Sequence, residues 1–175
     1  MAYIGMGGNL ASWAGTPEAT LAAAALRLEA LGHVVGRSSL YSTEPVGFAE
    51  QPRFINAVAA LETELGPSEL LDGLLRIEQE FGRDRAAGFA NGPRTLDLDI
   101  LLFGDLEMSE PGLDIPHPRL AERAFVLAPL NEIAPEVVEP RSRETVARLL
   151  AELQENSEGE SDAVVRVQSE VWGTR

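Results

Sequence analysis

The sequence predicts an α+β fold in which helices pack on one antiparallel sheet. Three observations carry that prediction. Apolar residues recur at helical spacing over 16–31 and again after Gly66-Pro67, and β-rich runs stand before, between and after those two stretches. The resulting order, βαββαβ, is that of a split βαβ, ferredoxin-like core, with C-terminal helices added to it. A chain of 175 residues suits one domain. We expect the core over 1–140 and, over 141–175, a C-terminal helix and acidic tail of the same domain.

Each element has its own signal. Ala2 to Met6 is a short β-like run that Gly7-Gly8-Asn9, a turn signal, should end. Thr16-Pro17-Glu18 supplies a capping threonine, a proline at the first helical position and an acid in the first turn. Leu21, Ala25, Leu28 and Leu31 then mark a helix over 16–31, closed by Gly32. Val34 to Thr43 and Arg53 to Thr63 read as strands of a hairpin with the long loop Glu44 to Pro52. A second helix opens at Gly66-Pro67-Ser68-Glu69, shows Leu70, Leu71, Leu74, Leu75 and Phe81 on one face, and stops at Gly82. After the irregular loop Arg83 to Pro93, Leu96 to Phe103 forms a strand closed by Gly104-Asp105. Beyond Ile115-Pro116-His117-Pro118 we expect helices over Arg119 to Ile133 and Glu144 to Glu155, an acidic loop over 155–162, and a late strand from Ala163 to Val167. No internal repeat is visible.

Composition narrows the chemistry. Hydrophobic residues make up 45% and charged residues 24%, as in ordinary globular proteins. With 14 basic against 28 acidic residues the net charge is −14, which argues against a surface built to neutralise nucleic-acid or membrane phosphates. Any anion must be gathered by a local cluster. Absence of cysteine excludes disulfides and thiolate chemistry, and the two histidines, His33 and His117, are too few for a multi-histidine metal site. All the basic residues are arginine, so a Walker lysine and Schiff-base chemistry are excluded too. Gly5, Gly7 and Gly8 do not make a dinucleotide fingerprint, because Leu10 stands where its third glycine belongs. No apolar run approaches the ~20 residues that span a bilayer, and a cytoplasmic, monomeric protein is the expectation.

The candidate chemistry gathers around one strand. Asp97 and Asp99 stand two apart, so both carboxylates point to the same side, with Cα atoms roughly 6 to 7 Å apart. Leu101 and Phe103 are expected on that side as well, which would put the acids at the rim of a core. Such a pair suits one or two hard cations, with phosphates and water completing the coordination; the alternative is a solvent-facing edge. The loop Arg83 to Arg94 adds Arg83, Arg85 and Arg94 with a single acid, which fits a polyphosphate clamp or, taken alone, a mobile surface loop. His117, held between two prolines and followed by Arg119 and Arg123, is either a phosphate donor or a structural histidine. Asn56 shares a strand face with Phe54 and Val58, so it needs a buried partner or meets a ligand. His33 reads as a helix-terminal residue.

The run Gly92-Pro93-Arg94-Thr95-Leu96-Asp97-Leu98-Asp99-Ile100 resembles the signature of the bacterial 6-hydroxymethyl-7,8-dihydropterin pyrophosphokinases of folate synthesis. Supporting matches are Gly8-Asn9-Leu10, Tyr41 to Gly47, Gln51 to Ala57, Ile115 to Arg119 and Arg123 to Leu127, so the resemblance covers roughly 2–138. It implies attack of the pterin hydroxyl on the β-phosphorus of ATP, giving AMP and the pterin diphosphate. It also implies two Mg²⁺ on Asp97 and Asp99, and ATP phosphates on Arg83, Arg85, Arg94, His117 and Arg123, with Arg83 and Arg94 acting with the two aspartates in catalysis. The reduced pterin would meet Phe125 together with Thr43, Pro45, Val46 and Asn56. In one departure, Asn91 stands where the family usually has tryptophan, and Phe89 is the aromatic that would replace that lid. A nucleotide-binding regulatory module and a phosphohydrolase are the competing readings. The segment past Glu155, outside the matched region, is expected to be dispensable for catalysis.

Overall fold

The computed structural model describes residues 1–156 and 164–173. Its element order is β1 (Ala2–Gly8), α1 (Pro17–Leu28), β2 (His33–Arg37), β3 (Leu40–Thr43), β4 (Phe54–Glu62), α2 (Pro67–Glu80), β5 (Asp97–Phe103), β6 (Met108–Glu110), β7 (Leu113–Ile115), a 3₁₀ turn (Leu120–Glu122), α3 (Ala124–Ile133), α4 (Val146–Asn156) and β8 (Val165–Val167). The strands β5-β1-β4-β3-β8 form one sheet in that order, with β2 also paired to β4. Every pairing in it is antiparallel. This is a mixed fold of four α-helices on an antiparallel sheet.

The two faces of the sheet bury different clusters. Ile4, Met6, Ala57, Ala59, Leu61, Leu98 and Ile100 pack against Leu21 and Leu28 of α1 and Leu70, Leu74 and Ile77 of α2. On the other face Val58, Leu101 and Leu102 meet Val126, Leu127 and Leu130 of α3 and Val146 and Leu149 of α4. Period-two alternation in the strands feeds both faces at once.

Several boundaries depart from expectation for identifiable reasons. β1 does not stop at Met6 but runs through Gly8, where a Cβ would lie 2.3 Å from the Thr95 carbonyl oxygen. The glycines there permit close backbone approach rather than a turn. The expected strand Val34 to Thr43 breaks at Ser38-Ser39, because the Ser38 hydroxyl takes over the Val58 N–H at 2.9 Å and donates to the Ser39 carbonyl at 2.8 Å. The helix expected over 16–31 ends at Leu28, where i→i−3 bonds from Ala30 and Leu31 tighten the chain. The helix expected from Arg119 is interrupted at Arg123, whose extended backbone (φ −118°, ψ 105°) makes it the cap of α3, its carbonyl accepting from Val126 and Leu127.

A bulge opposite Tyr3/Ile4 leaves Leu101 without a Cα partner in β1. It turns Leu101 and Leu102 toward the α3 face, and Phe103 packs on the α1/α2 side. The expectation that Phe103 shares the side of Asp97 and Asp99 is thereby corrected. The β6–β7 hairpin, turned through Pro111-Gly112 with Gly112 at φ +81°, was not anticipated, because three-residue strands are too short to show alternation. Of the expected late strand, Ala163 lies outside the described residues, as do 157–162 of the acidic run; Val165–Val167 pairs with β3.

Candidate active site

Strand register builds the floor of the site. Asp97 of β5 lies opposite Gly7 of β1, Gly7 opposite Asn56 of β4, and one step along the strands Asp99 lies opposite Gly5, itself opposite Val58. Cross-strand partners share a face, so Gly7 stands between Asp97 and Asn56 and Gly5 between Asp99 and Val58, neither with a side chain of its own. At Gly7 a Cβ would come within 2.9 Å of Asn56 Oδ1. Here α3 and α4 cover Val58 and Leu101 but not this end of the sheet, and a cleft remains.

Asp97 is surrounded by arginine. Its carboxylate lies 3.1 Å from Arg94 Nε, 3.7 Å from Arg85 and 3.9 Å from Arg83. Arg83 reaches this point because Gly82, at φ +82°, ends α2 in a Schellman turn: Arg83 N–H donates to the Glu78 carbonyl and Gly82 N–H to that of Gln79. Arg85 is held by a bidentate pair with Glu78 at 2.8 and 2.9 Å. Burial would lower the Arg85 guanidinium, and Glu78 outweighs it to give a net rise. Burial in turn pushes the Glu78 carboxyl up, with the Leu98 N–H and Arg85 pulling it part-way back. Burial also draws the Arg83 and Arg123 guanidiniums down. Asp99 is pushed up to about 6 by burial first, then by Asp97 and Glu78.

That mutual repulsion of carboxylates is what a bound cation would relieve, so Asp97 and Asp99 fit a hard divalent ion. No group of three or more His, Asp or Glu side chains suited to a metal exists among the described residues, so further ligands would have to be substrate oxygens and water. The buried Nε of Arg83 makes no hydrogen bond, a donor left for an anion, while that of Arg94 is ion-paired to Asp97 at 3.1 Å.

Next to the aspartates' hollow, and sharing Asn56, Arg94, Arg123 and Phe125 with it, the cleft opens into a cavity of about 650 Å³ counted to its open mouth, lined also by Thr43, Glu44, Val46, Phe54, Asn91, Arg119 and Glu122. Asn56 Nδ2 donates to Thr43 Oγ1 at 2.8 Å, Arg94 lies 4.7 Å over the Phe54 ring, and Arg123 lies 5.5 Å from the Phe125 centroid. The expected residues Thr43, Val46, Asn56, Phe125, Arg94 and Arg123 therefore share one cavity. Pro45 is not among its lining residues. Arg83 and Arg85 line a separate hollow behind Asp97.

His117 donates its backbone N–H to Leu101 O at 2.9 Å, and its Nδ1 accepts from Arg119 N–H at 3.1 Å. Burial and then Arg123 draw its pKa down, so the neutral ring carries its proton on Nε2 and has one donor to offer. Phe89, expected over the cleft, stands outside it. It is 60% exposed, packs edge-on to Phe48 at 5.5 Å and lies against Gly92, while Asn91 lines the cavity. The backbone explains the exchange: Asn91 sits at φ +61°, a left-handed position that suits asparagine and disfavours a bulky ring.

Three organising residues escaped the sequence reading. Asn9 is buried and ties three segments together: Nδ2 donates to Gln51 Oε1 and to Pro52 O, and Oδ1 accepts from Arg94 N–H. Nothing in Gly8-Asn9-Leu10 distinguishes this from a turn. Glu78 had a signal, since it falls four after Leu74 and three before Phe81, an acid in the apolar stripe of α2. Glu132, one of two polar side chains at the end of the apolar α3, was the third.

The family model described as 7,8-dihydro-6-hydroxymethylpterin-pyrophosphokinase (HPPK) matches residues 3–135. The chain is 47% identical over 143 residues to a 2-amino-4-hydroxy-6-hydroxymethyldihydropteridine pyrophosphokinase of Pseudomonas aeruginosa, covering 81% of this chain and 85% of that one. A Bacillus subtilis protein of the same description is 45% identical over 139 residues, with 78% and 80% covered. Among solved structures, an HPPK-DHPS in complex with substrates superposes with a TM-score of 0.71 at 16% identity, over 94% of this chain and 45% of that one. The chain spans less than half of that neighbour, and the likeness shows the fold alone.

Proposed function

The chain belongs to the 7,8-dihydro-6-hydroxymethylpterin-pyrophosphokinase family, and from that premise we propose that the cleft binds ATP and the reduced hydroxymethylpterin side by side. The activity is transfer of pyrophosphate from ATP to the pterin hydroxymethyl group in folate synthesis. One observation carries the assignment to this site: the glycine-floored row that places Asp97 and Asp99, with three arginines, on the same face as Asn56 and Thr43.

Phe125 offers a flat apolar face to the pterin ring, while Asn56 and Thr43 supply polar edges and Val46 closes the slot. Arg94 and Arg123 meet the phosphates in the cleft, Arg83 and Arg85 act from behind Asp97, and His117 Nε2 donates as a neutral group. Two Mg²⁺ held by Asp97 and Asp99 would polarise the transferring phosphoryl oxygens when bound. The pterin hydroxyl oxygen forms a bond to the β-phosphorus and releases its proton to solvent, the bond from that phosphorus to the oxygen bridging it to the α-phosphorus breaks, and AMP leaves. Arginines already fixed by Asp97 and Glu78 need little reorganisation as charge shifts toward AMP.

We also read the strand order as ferredoxin-like, with β1 inserted between β4 and β5, and β4 inserted between β1 and β2. Incubation with Mg²⁺, ATP and reduced hydroxymethylpterin, followed by nucleotide identification, tests the function. AMP with pterin diphosphate is expected; ADP or pterin-independent hydrolysis would overturn it.

A further inference from the structure

The row that crosses the site continues to the edge of the sheet. Beyond Asn56 it passes through Tyr41 of β3 to Arg166 of β8, each the register partner of the one before. Their side chains emerge on the face covered by α3. Glu132, near the end of α3, closes over this outer half. Its carboxylate accepts the Ser39 backbone N–H at 3.0 Å, the Ser39 hydroxyl at 2.8 Å, the Tyr41 hydroxyl at 2.8 Å and Arg166 at 3.2 Å. One side chain thus binds α3 to β3 and β8.

The parts it joins carry the two walls of the pterin slot. Arg123 caps α3 and Phe125 lies in its first turn, about 10 Å along the helix from Glu132. Thr43, two residues after Tyr41 on the same face, holds Asn56. A tilt at the Glu132 end of so short a helix is carried to Phe125. Third in this clamp is β8, which is itself anchored by Trp172. The indole is 7% exposed and donates to the Ser38 carbonyl at 2.8 Å, and the Arg37 guanidinium lies 4.7 Å over the ring. Both β8 and Trp172 lie beyond the residues that the family model matches.

We propose that Glu132 is a positioning residue that fixes the gap between Phe125 and Asn56 for the pterin, and that residues 164–173 form a strap reinforcing it through Arg166. The proposal rests on the pterin reading of the cleft. Glu132→Gln keeps the shape but puts an amide donor among groups that donate, so it should loosen the clamp without emptying the core.

The test is steady-state kinetics on the full chain, with each substrate varied in turn. Glu132→Gln is expected to raise the pterin KM at least fivefold and Arg166→Ala about twofold, with the ATP KM and kcat within twofold of the parent. Tyr41→Phe added to Glu132→Gln should cost less than Tyr41→Phe alone, since the bond is already lost. Leu28→Ala, which loosens packing on the opposite face, should lower Tm and leave the pterin KM in place. Equal rises in both KM values, or a lower Tm with an unchanged pterin KM in Glu132→Gln, would overturn the proposal. If the parent chain itself forms no AMP from ATP and pterin, the functional reading fails and this proposal falls with it.

Discussion

Asp97 has three guanidinium groups within 4.0 Å, while Asp99, two residues on, is held up near pH 6 by burial and neighbouring carboxylates. Identical side chains on one strand face therefore do different work. In Asp97→Asn the arginines lose the anion that holds them, and they remain free to bind phosphate. We expect binding of a non-hydrolysable ATP analogue without metal to be preserved or strengthened, and turnover to fall about 10²- to 10³-fold. Asp99→Asn should lose turnover to a similar extent without strengthening nucleotide binding. Calorimetric titration beside initial rates, with circular dichroism to confirm the fold, checks both; wild-type turnover in both variants would remove the aspartates from the mechanism. The carboxylate pair was legible in the sequence because a two-residue spacing on a strand fixes a shared face. The roles of Glu78 and Asn9 depend on partners 7 to 85 positions away, which spacing does not encode.

At the scale of the element, neighbouring glycines of β1 have unequal roles. A Cβ on Gly8 would meet the Thr95 carbonyl oxygen at 2.3 Å, backbone that can move only with the strand, whereas one on Gly7 would meet Asn56 Oδ1 at 2.9 Å, the end of a side chain. Gly8→Ala should destabilise the protein by about 3 kcal/mol or more. Gly7→Ala should fold with a smaller loss but raise the pterin KM by displacing Asn56. Urea unfolding and kinetics separate the two.

The strap makes a second prediction. The tail outside the family match is expected to be dispensable for catalysis, but its Trp172 is buried with the α1/α2 core and bears on stability. Trp172→Ala should cost about 3 to 5 kcal/mol, read as a lower Tm. A change within the scatter of surface substitutions would mean that the strap is not docked in solution.

At the scale of the whole molecule, the sheet divides labour between its faces. One is sealed by α1 and α2, while the other is sealed over only part of its area and open where Gly5 and Gly7 replace larger side chains. Glu132 links helix, sheet and strap, and its titration reports on that assembly. Burial pushes its carboxyl up, but hydrogen bonds from Ser39 and Tyr41, with Arg166 adding to them, outweigh burial and hold it below its ordinary 4.5. A carboxyl depressed by folding stabilises the native state at pH values above its unfolded pKa and loses that contribution as pH falls through the folded one. The stability gap between the parent and Glu132→Gln should therefore be full above about pH 5 and close progressively below 4.5. Urea midpoints measured across that range check it, and a gap independent of pH would show that the charge is not what the clamp uses.

By itself the sequence determined the order of the core elements, the Asp97/Asp99 pair, the arginines of the loop before it and the family. Those properties rest on local periodicity, on residue chemistry and on a contiguous motif. Only the tertiary structure decided that Ser38 splits a strand, that a bulge at Leu101 sends Phe103 to the other face, and that Phe89 stands outside the cleft while Asn91 lines it. It also decided that Glu132 and Trp172 join the chain's end to the site's walls. The physical reason is common to all four: each depends on which distant backbone or side-chain group arrives to satisfy a buried donor, acceptor or apolar surface, and the packed sheet makes that choice.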